Sequence, residues 1–146
     1  MLKRTYFAFS RNLNLLYLLD RWLNPYSIGK TVIFNDKPLQ VLWTKRANRI
    51  LGKREQPLFV EMQLFFSCVV KKRVLFHEAS SHNSVVVTDK LAVMFRPVEA
   101  ASCDPVEFAK NYPEKRELDS SSAIKMHARQ LSIDYIDEQW VGEFLI

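Results

Sequence analysis

The sequence predicts an α+β fold, with a mostly antiparallel β-sheet covered by an N-terminal amphipathic helix and one or two short helices. Three observations carry this reading: one strong helical periodicity near the N-terminus, several alternating or continuous apolar runs after it, and turn residues between those runs. No repeat and no long internal linker divides the chain, so residues 1–146 read as one domain.

Ser10 followed by RNLNLLYLLDRWL reads as a capped helix. Leu15, Leu16, Leu19, Trp22 and Leu23 share one face, while Asn14, Arg21 and Asn24 lie largely opposite. The apolar face is expected to pack on the sheet, and Pro25 and Gly29 favour an early stop. TVIFNDKPLQVLW suggests two short strands joined around Asn35-Asp36, with Pro38 limiting pairing beside the turn. TKRANRILGKRE predicts a short basic helix that starts at Thr44 and ends near Gly52.

In PLFVEMQLFFSC, Leu58, Val60, Met62 and Leu64 point one way along a strand, and Phe66, Cys68 and Val70 continue that set. Glu61 and Gln63 point the other way, toward the wet face of a one-sided sheet. The apolar run through Phe76 exceeds an ordinary strand, which places a bulge, bend or turn near Ser67–Lys72. ASSHNS reads as a loop, and SVVVTDKLAVMFRPV as two extended pieces around Thr88-Asp89-Lys90. Asp104-Pro105-Val106-Glu107 is a helix opening that must close before NYP at residues 111–113. AIKMHARQLSIDYI alternates on both sides of a phase change near Ala128–Gln130, and QWVGEFLI closes the core as a terminal strand.

A chain of 146 residues, 48% hydrophobic and 25% charged, has the material for a sizeable core. Three glycines and six prolines argue against a loop-rich chain. Cys68 and Cys103 cannot build a disulfide scaffold and read as reduced thiols of a cytoplasmic protein. No apolar run reaches the roughly 18 residues of a membrane span. The basic, acid-free opening slightly resembles a targeting segment, but Asn12 and Asn14 interrupt its apolar part and no small-residue cleavage signature follows.

Phosphate-loop, Rossmann, nucleophile-elbow and HExxH patterns are all missing. Cys68, His77, His82 and Cys103 are zinc-compatible residue types, yet no close pair anchors a knuckle, so neither metal nor cofactor is expected. A thiol nucleophile at Cys68 or Cys103 needs a nearby base and an anion-stabilising environment, and Asp104 works against a reactive Cys103. His127 has Asp134, Asp137 and Glu138 close in the chain, but acid–base work requires them to converge in a cleft.

Charge is the stronger signal. Residues 1–76 carry fourteen Lys/Arg against four Asp/Glu, a formal +10, and residues 77–146 carry seven against twelve, or −5. Lys45, Arg46, Arg49, Lys53 and Arg54 form a candidate anion-binding patch, extended by Lys71, Lys72 and Arg73 if the sheet lies beside it. Trp43 and Phe65 are the nearby aromatics for base stacking, with core packing as the ordinary alternative. The expected function is a non-enzymatic binding domain for RNA, single-stranded DNA or an acidic protein surface. A homodimer through a sheet edge is a further expectation. The competing expectations are a small enzyme with a convergent Cys/His/carboxylate cleft and a homo-oligomeric structural protein. A membrane-surface role is disfavoured here because no single segment carries a long basic–aromatic stripe.

Overall fold

The computed structural model describes residues 3–5, 15–66, 70–80, 83–100, 115–117 and 127–146. In chain order the elements are β1 (Lys3–Thr5), α1 (Leu15–Leu23), β2 (Ile28–Phe34), β3 (Lys37–Trp43), α2 (Lys45–Gly52), β4 (Leu58–Phe66), β5 (Val70–His77), β6 (Val85–Thr88), β7 (Leu91–Ala100), β8 (Lys115–Glu117), β9 (Gln130–Ile136) and β10 (Gln139–Leu145). The α+β class and the predominance of antiparallel pairing agree with the sequence reading. The expected helix opening at Asp104 lies outside the described residues, as do Cys68, His82 and Cys103.

Two sheets form. One is six-stranded, in the order β1-β5-β4-β7-β6 with β8 on β7, and the other is four-stranded, in the order β10-β9-β3-β2. The larger sheet holds four antiparallel pairs, β1–β5, β4–β5, β6–β7 and β7–β8, and one parallel pair, β4 with β7. The smaller holds two antiparallel pairs, β9–β10 and β2–β3, joined by the parallel pair β3 with β9. Local chemistry fixes the hairpins. Asn35 and Asp36 both adopt left-handed backbone (φ 50° and 63°), as do Asp137 and Glu138 (51° and 61°). Two successive left-handed residues match the twist of the strands they join.

The inner faces of the two sheets share one core. Leu58, Val60, Met62 and Leu64 of β4 pack with Val41 and Trp43 of β3, Leu131 and Ile133 of β9, and Phe144 of β10. The alternation read from the sequence is therefore the alternation observed, on this face. Helix α2 seals one part of the core with Ala47 and Leu51. Its cap is Thr44, whose Oγ1 accepts from the Ala47 amide at 3.2 Å.

Gly142 of β10 marks a close approach of the sheets. A Cβ there would lie 3.1 Å from Val74 Cγ1, 3.2 Å from Phe76 Cζ and 3.3 Å from the Ser132 carbonyl oxygen. Gly142→Val is expected to cost about 2 kcal/mol or more by forcing the sheets apart. Gly52→Ala is the contrast: no atom lies within 4 Å of its added methyl and its φ is not positive. That variant should gain about 0.5–1 kcal/mol. Urea unfolding of both variants measures the difference, and equal midpoints would reject the close-packing account.

Helix α1 occupies the expected position, but the side it turns to the sheet is the polar one. None of its residues is buried. Leu15, Leu16, Leu18, Leu19, Trp22 and Leu23 are 52–78% exposed, whereas Tyr17, Asp20 and Arg21 are partly covered. The physical reason is a set of ion pairs with α2 and β9.

Candidate functional site

Those ion pairs centre on Arg46, the second residue of α2. Its Nε and Nη2 donate to the two carboxylate oxygens of Asp134 at 2.8 and 2.6 Å. The same guanidinium donates Nη1 and Nη2 to Asp20 at 2.9 and 2.7 Å. Arg46 is thus a two-sided fork, the geometry that favours arginine over lysine. Asp134 is fully buried on β9 and also accepts from Thr44 Oγ1 at 2.6 Å and from the Tyr135 amide at 2.7 Å. Arg21 Nη1 adds an ion pair to it at 3.1 Å, with its guanidinium 4.1 Å from the centre of the Tyr26 ring.

The titration behaviour follows. Burial pushes the Asp134 carboxyl upward, but hydrogen bonds from Arg46 and Thr44 overcome it and hold the carboxyl below its usual range. The Arg46 hydrogen bonds hold Asp20 low as well. Arg46 is held even more firmly protonated by Asp134 and Asp20. Burial raises the Tyr26 phenol well above its ordinary value. Every group here favours a fixed charge, which suits anchoring and not proton transfer.

A second polar row crosses the outer face of the larger sheet. Glu61 and Gln63 are 2% and 0% exposed, which corrects their expected place on a wet face. Arg73 Nε donates to Gln63 Oε1 at 2.6 Å, and Gln63 Nε2 in turn donates to Glu61 Oε2. Arg96 Nη1 stands 3.5 Å from Glu61 Oε1, and His77 Nε2 stands 3.6 Å from Glu61 Oε2. Burial raises the Glu61 carboxyl, and the opposing pull of His77, Arg96 and Gln63 leaves it lowered. Arg73 also stacks over the buried Phe65 ring at 4.9 Å.

The eight predicted basic residues divide by this geometry, with Lys71 partly buried on β5. Arg46 and Arg73 are committed to the two networks. Arg54 pairs with Glu78 and donates to the Gln56 carbonyl at 3.2 Å. Lys72 Nζ donates to the Phe144 carbonyl at 3.1 Å. Lys45, Arg49 and Lys53 remain exposed and outside every ion pair among the described residues. The two basic segments sit at opposite ends of β5. Arg54 meets Glu78 just past His77, whereas Lys72 is five residues up the strand, about 17 Å away.

His127 does not converge with Asp134, Asp137 and Glu138. Its Nδ1 lies 3.4 Å from Lys37 Nζ. Together with Thr31, Pro38, Gln40 and Arg129 it lines an open cleft of about 540 Å³ that sequence reasoning missed. Trp43 is a core aromatic, with Nε1 donating to Asn48 Oδ1 at 3.1 Å. Among the described residues no three His, Cys, Asp or Glu side chains form a metal-holding group.

Fold and site together define an α+β protein with internally neutralised arginines and an exposed cationic helix. Comparison with family models, curated proteins and solved structures gives no match to this chain.

Proposed function

We propose that the protein is a non-enzymatic binding domain that engages an anionic macromolecular surface through α2. The observation that carries this reading is the exposure of Lys45, Arg49 and Lys53 on α2 and its C-cap, with no acidic partner among the described residues. Their arginine neighbour Arg46 is spent on anchoring, so the helix is held rigidly while its cations face outward. A rigid cationic helix attracts phosphate or carboxylate arrays by charge, with little sequence selectivity of its own. RNA, single-stranded DNA and an acidic protein surface all satisfy that chemistry. Cysteine usage supports a reducing, cytoplasmic setting.

The test is salt elution from an immobilised polyanion such as heparin. Lys45→Glu/Arg49→Glu/Lys53→Glu should elute at clearly lower salt than wild type. The matched control, Lys30→Glu/Lys37→Glu/Arg129→Glu, changes net charge equally and alters the His127 cleft instead. Equal loss in the two triple variants would reduce the effect to bulk charge. A larger loss in the control would move the site to the cleft and overturn the assignment to α2.

A further inference from the structure

Helix α1 presents an apolar surface that the other described residues leave exposed. Leu15, Leu18, Leu19, Trp22 and Leu23 are each more than half exposed. Such side chains on adjacent turns make a patch on the order of several hundred Å², at the upper end of what a solitary soluble surface carries. The orientation is enforced. Asp20 and Arg21, on the opposite side of the helix, are tied to Arg46 and Asp134 at 2.7–3.1 Å. Rotating α1 to hide its leucines would break both contacts, so these ion pairs hold the apolar side outward.

Helix α2, joined to α1 through Arg46 and Asp20, carries the exposed cations. Arg46 touches Asp20 directly, and helical rise places Arg49 about 4.5 Å and Lys53 about 10 Å farther along the α2 axis. Lys45 is the residue next to Arg46. The basic–apolar combination that no single segment shows is assembled from α1 and α2 by the Arg46 fork.

A soluble polyanion uses the cations but has no use for exposed leucines. An anionic bilayer uses both, burying leucine and tryptophan at the headgroup–acyl boundary while basic groups meet the lipid phosphates. We propose that α1 and α2 form a peripheral docking surface for an anionic lipid bilayer, with α1 lying in the plane of the membrane. At nine residues α1 is only about 14 Å long, too short to cross. This inference rests on the reading of α2 as the anion-binding element and names its partner.

Co-sedimentation with vesicles tests it, comparing phosphatidylcholine alone with an equimolar mixture of phosphatidylcholine and phosphatidylglycerol. Wild type should bind the mixed vesicles and little of the neutral ones. Leu19→Gln/Trp22→Gln, which changes no charge, should lower partition by about tenfold or more with its heparin elution unchanged. Both positions are exposed, so the unfolding midpoint should hold and separate lost docking from lost folding. Equal vesicle binding by wild type and this variant would overturn the proposal. Absence of vesicle binding with heparin elution still dependent on α2 would also overturn it, while leaving the anion-binding reading standing. A dimer in sedimentation velocity that dissociates in Leu19→Gln/Trp22→Gln, without vesicle binding, would assign the face to a second copy instead.

Discussion

Asp134→Ala is expected to destabilise the protein by about 3–5 kcal/mol, because it strips the carboxylate from two arginines and leaves their charges partly buried. Asp134 is fully buried and receives Thr44, Arg46, Arg21 and the Tyr135 amide. Arg46→Ala should cost a similar amount by removing the two-pronged countercharge of the buried Asp134, while Asp20→Ala, at the exposed end of the network, should cost about 1 kcal/mol. Urea denaturation measures all three. If Asp134→Ala and Asp20→Ala cost the same, the buried carboxylate is not the centre of the anchor.

The same network predicts a pH response. Asp134 and Asp20 both titrate below their ordinary value of 3.8 in the folded chain. A carboxyl with a depressed folded pKa stabilises the fold above its unfolded pKa, and that contribution disappears as pH falls through the folded value. The acid-side loss therefore begins near pH 4 and deepens below it. Glu143 works in the opposite sense, since burial raises its carboxyl and protonation relieves a cost. In Asp134→Asn the acid-side slope should shrink, which separates the Asp134 contribution from general acid unfolding.

Local chemistry made much of this architecture legible. Thr44 before an amphipathic run announced α2, Asn35-Asp36 announced its hairpin, and the alternation from Leu58 to Leu64 announced the inner face of β4. Each depends on neighbours a few residues away. The orientation of α1 does not: an amphipathic pattern defines two faces, and contacts from Arg46, 26 residues from its partner Asp20, and from Asp134, 113 residues from its partner Arg21, decide which turns inward. The parallel joins β4–β7 and β3–β9 are equally hidden, because hairpin signals specify antiparallel neighbours alone. For the basic patch a signal was present. The residues Arg46, Arg54 and Arg73, spent on internal forks, are all arginines, while two of the three outward cations are lysines. That division follows from guanidinium geometry and distinguishes structural from surface charge better than net charge does.

Glu61 supplies the other large expected effect, and its neighbours make it diagnostic. As a solvated strand residue, Glu61→Ala would change stability by less than about 0.5 kcal/mol. In the observed row it should cost about 3 kcal/mol, because Gln63 loses its acceptor, Arg96 loses a countercharge and His77 loses the carboxylate beside it. Gln63 is the more telling position. Its amide oxygen faces the Arg73 donor and its amide nitrogen faces the Glu61 acceptor, so both ends are matched. Gln63→Glu keeps the shape and the acceptor for Arg73 but sets a second carboxylate against Glu61. Gln63→Met keeps the volume and removes both hydrogen bonds. The relay therefore predicts a loss for each variant, with Gln63→Glu recovering stability as pH falls and one carboxyl protonates, and Gln63→Met showing no such recovery. Parallel urea titrations at neutral and mildly acidic pH read that crossing. A Gln63→Glu variant insensitive to acid would mean that the two carboxylates do not face each other, and the buried row would lose its central link.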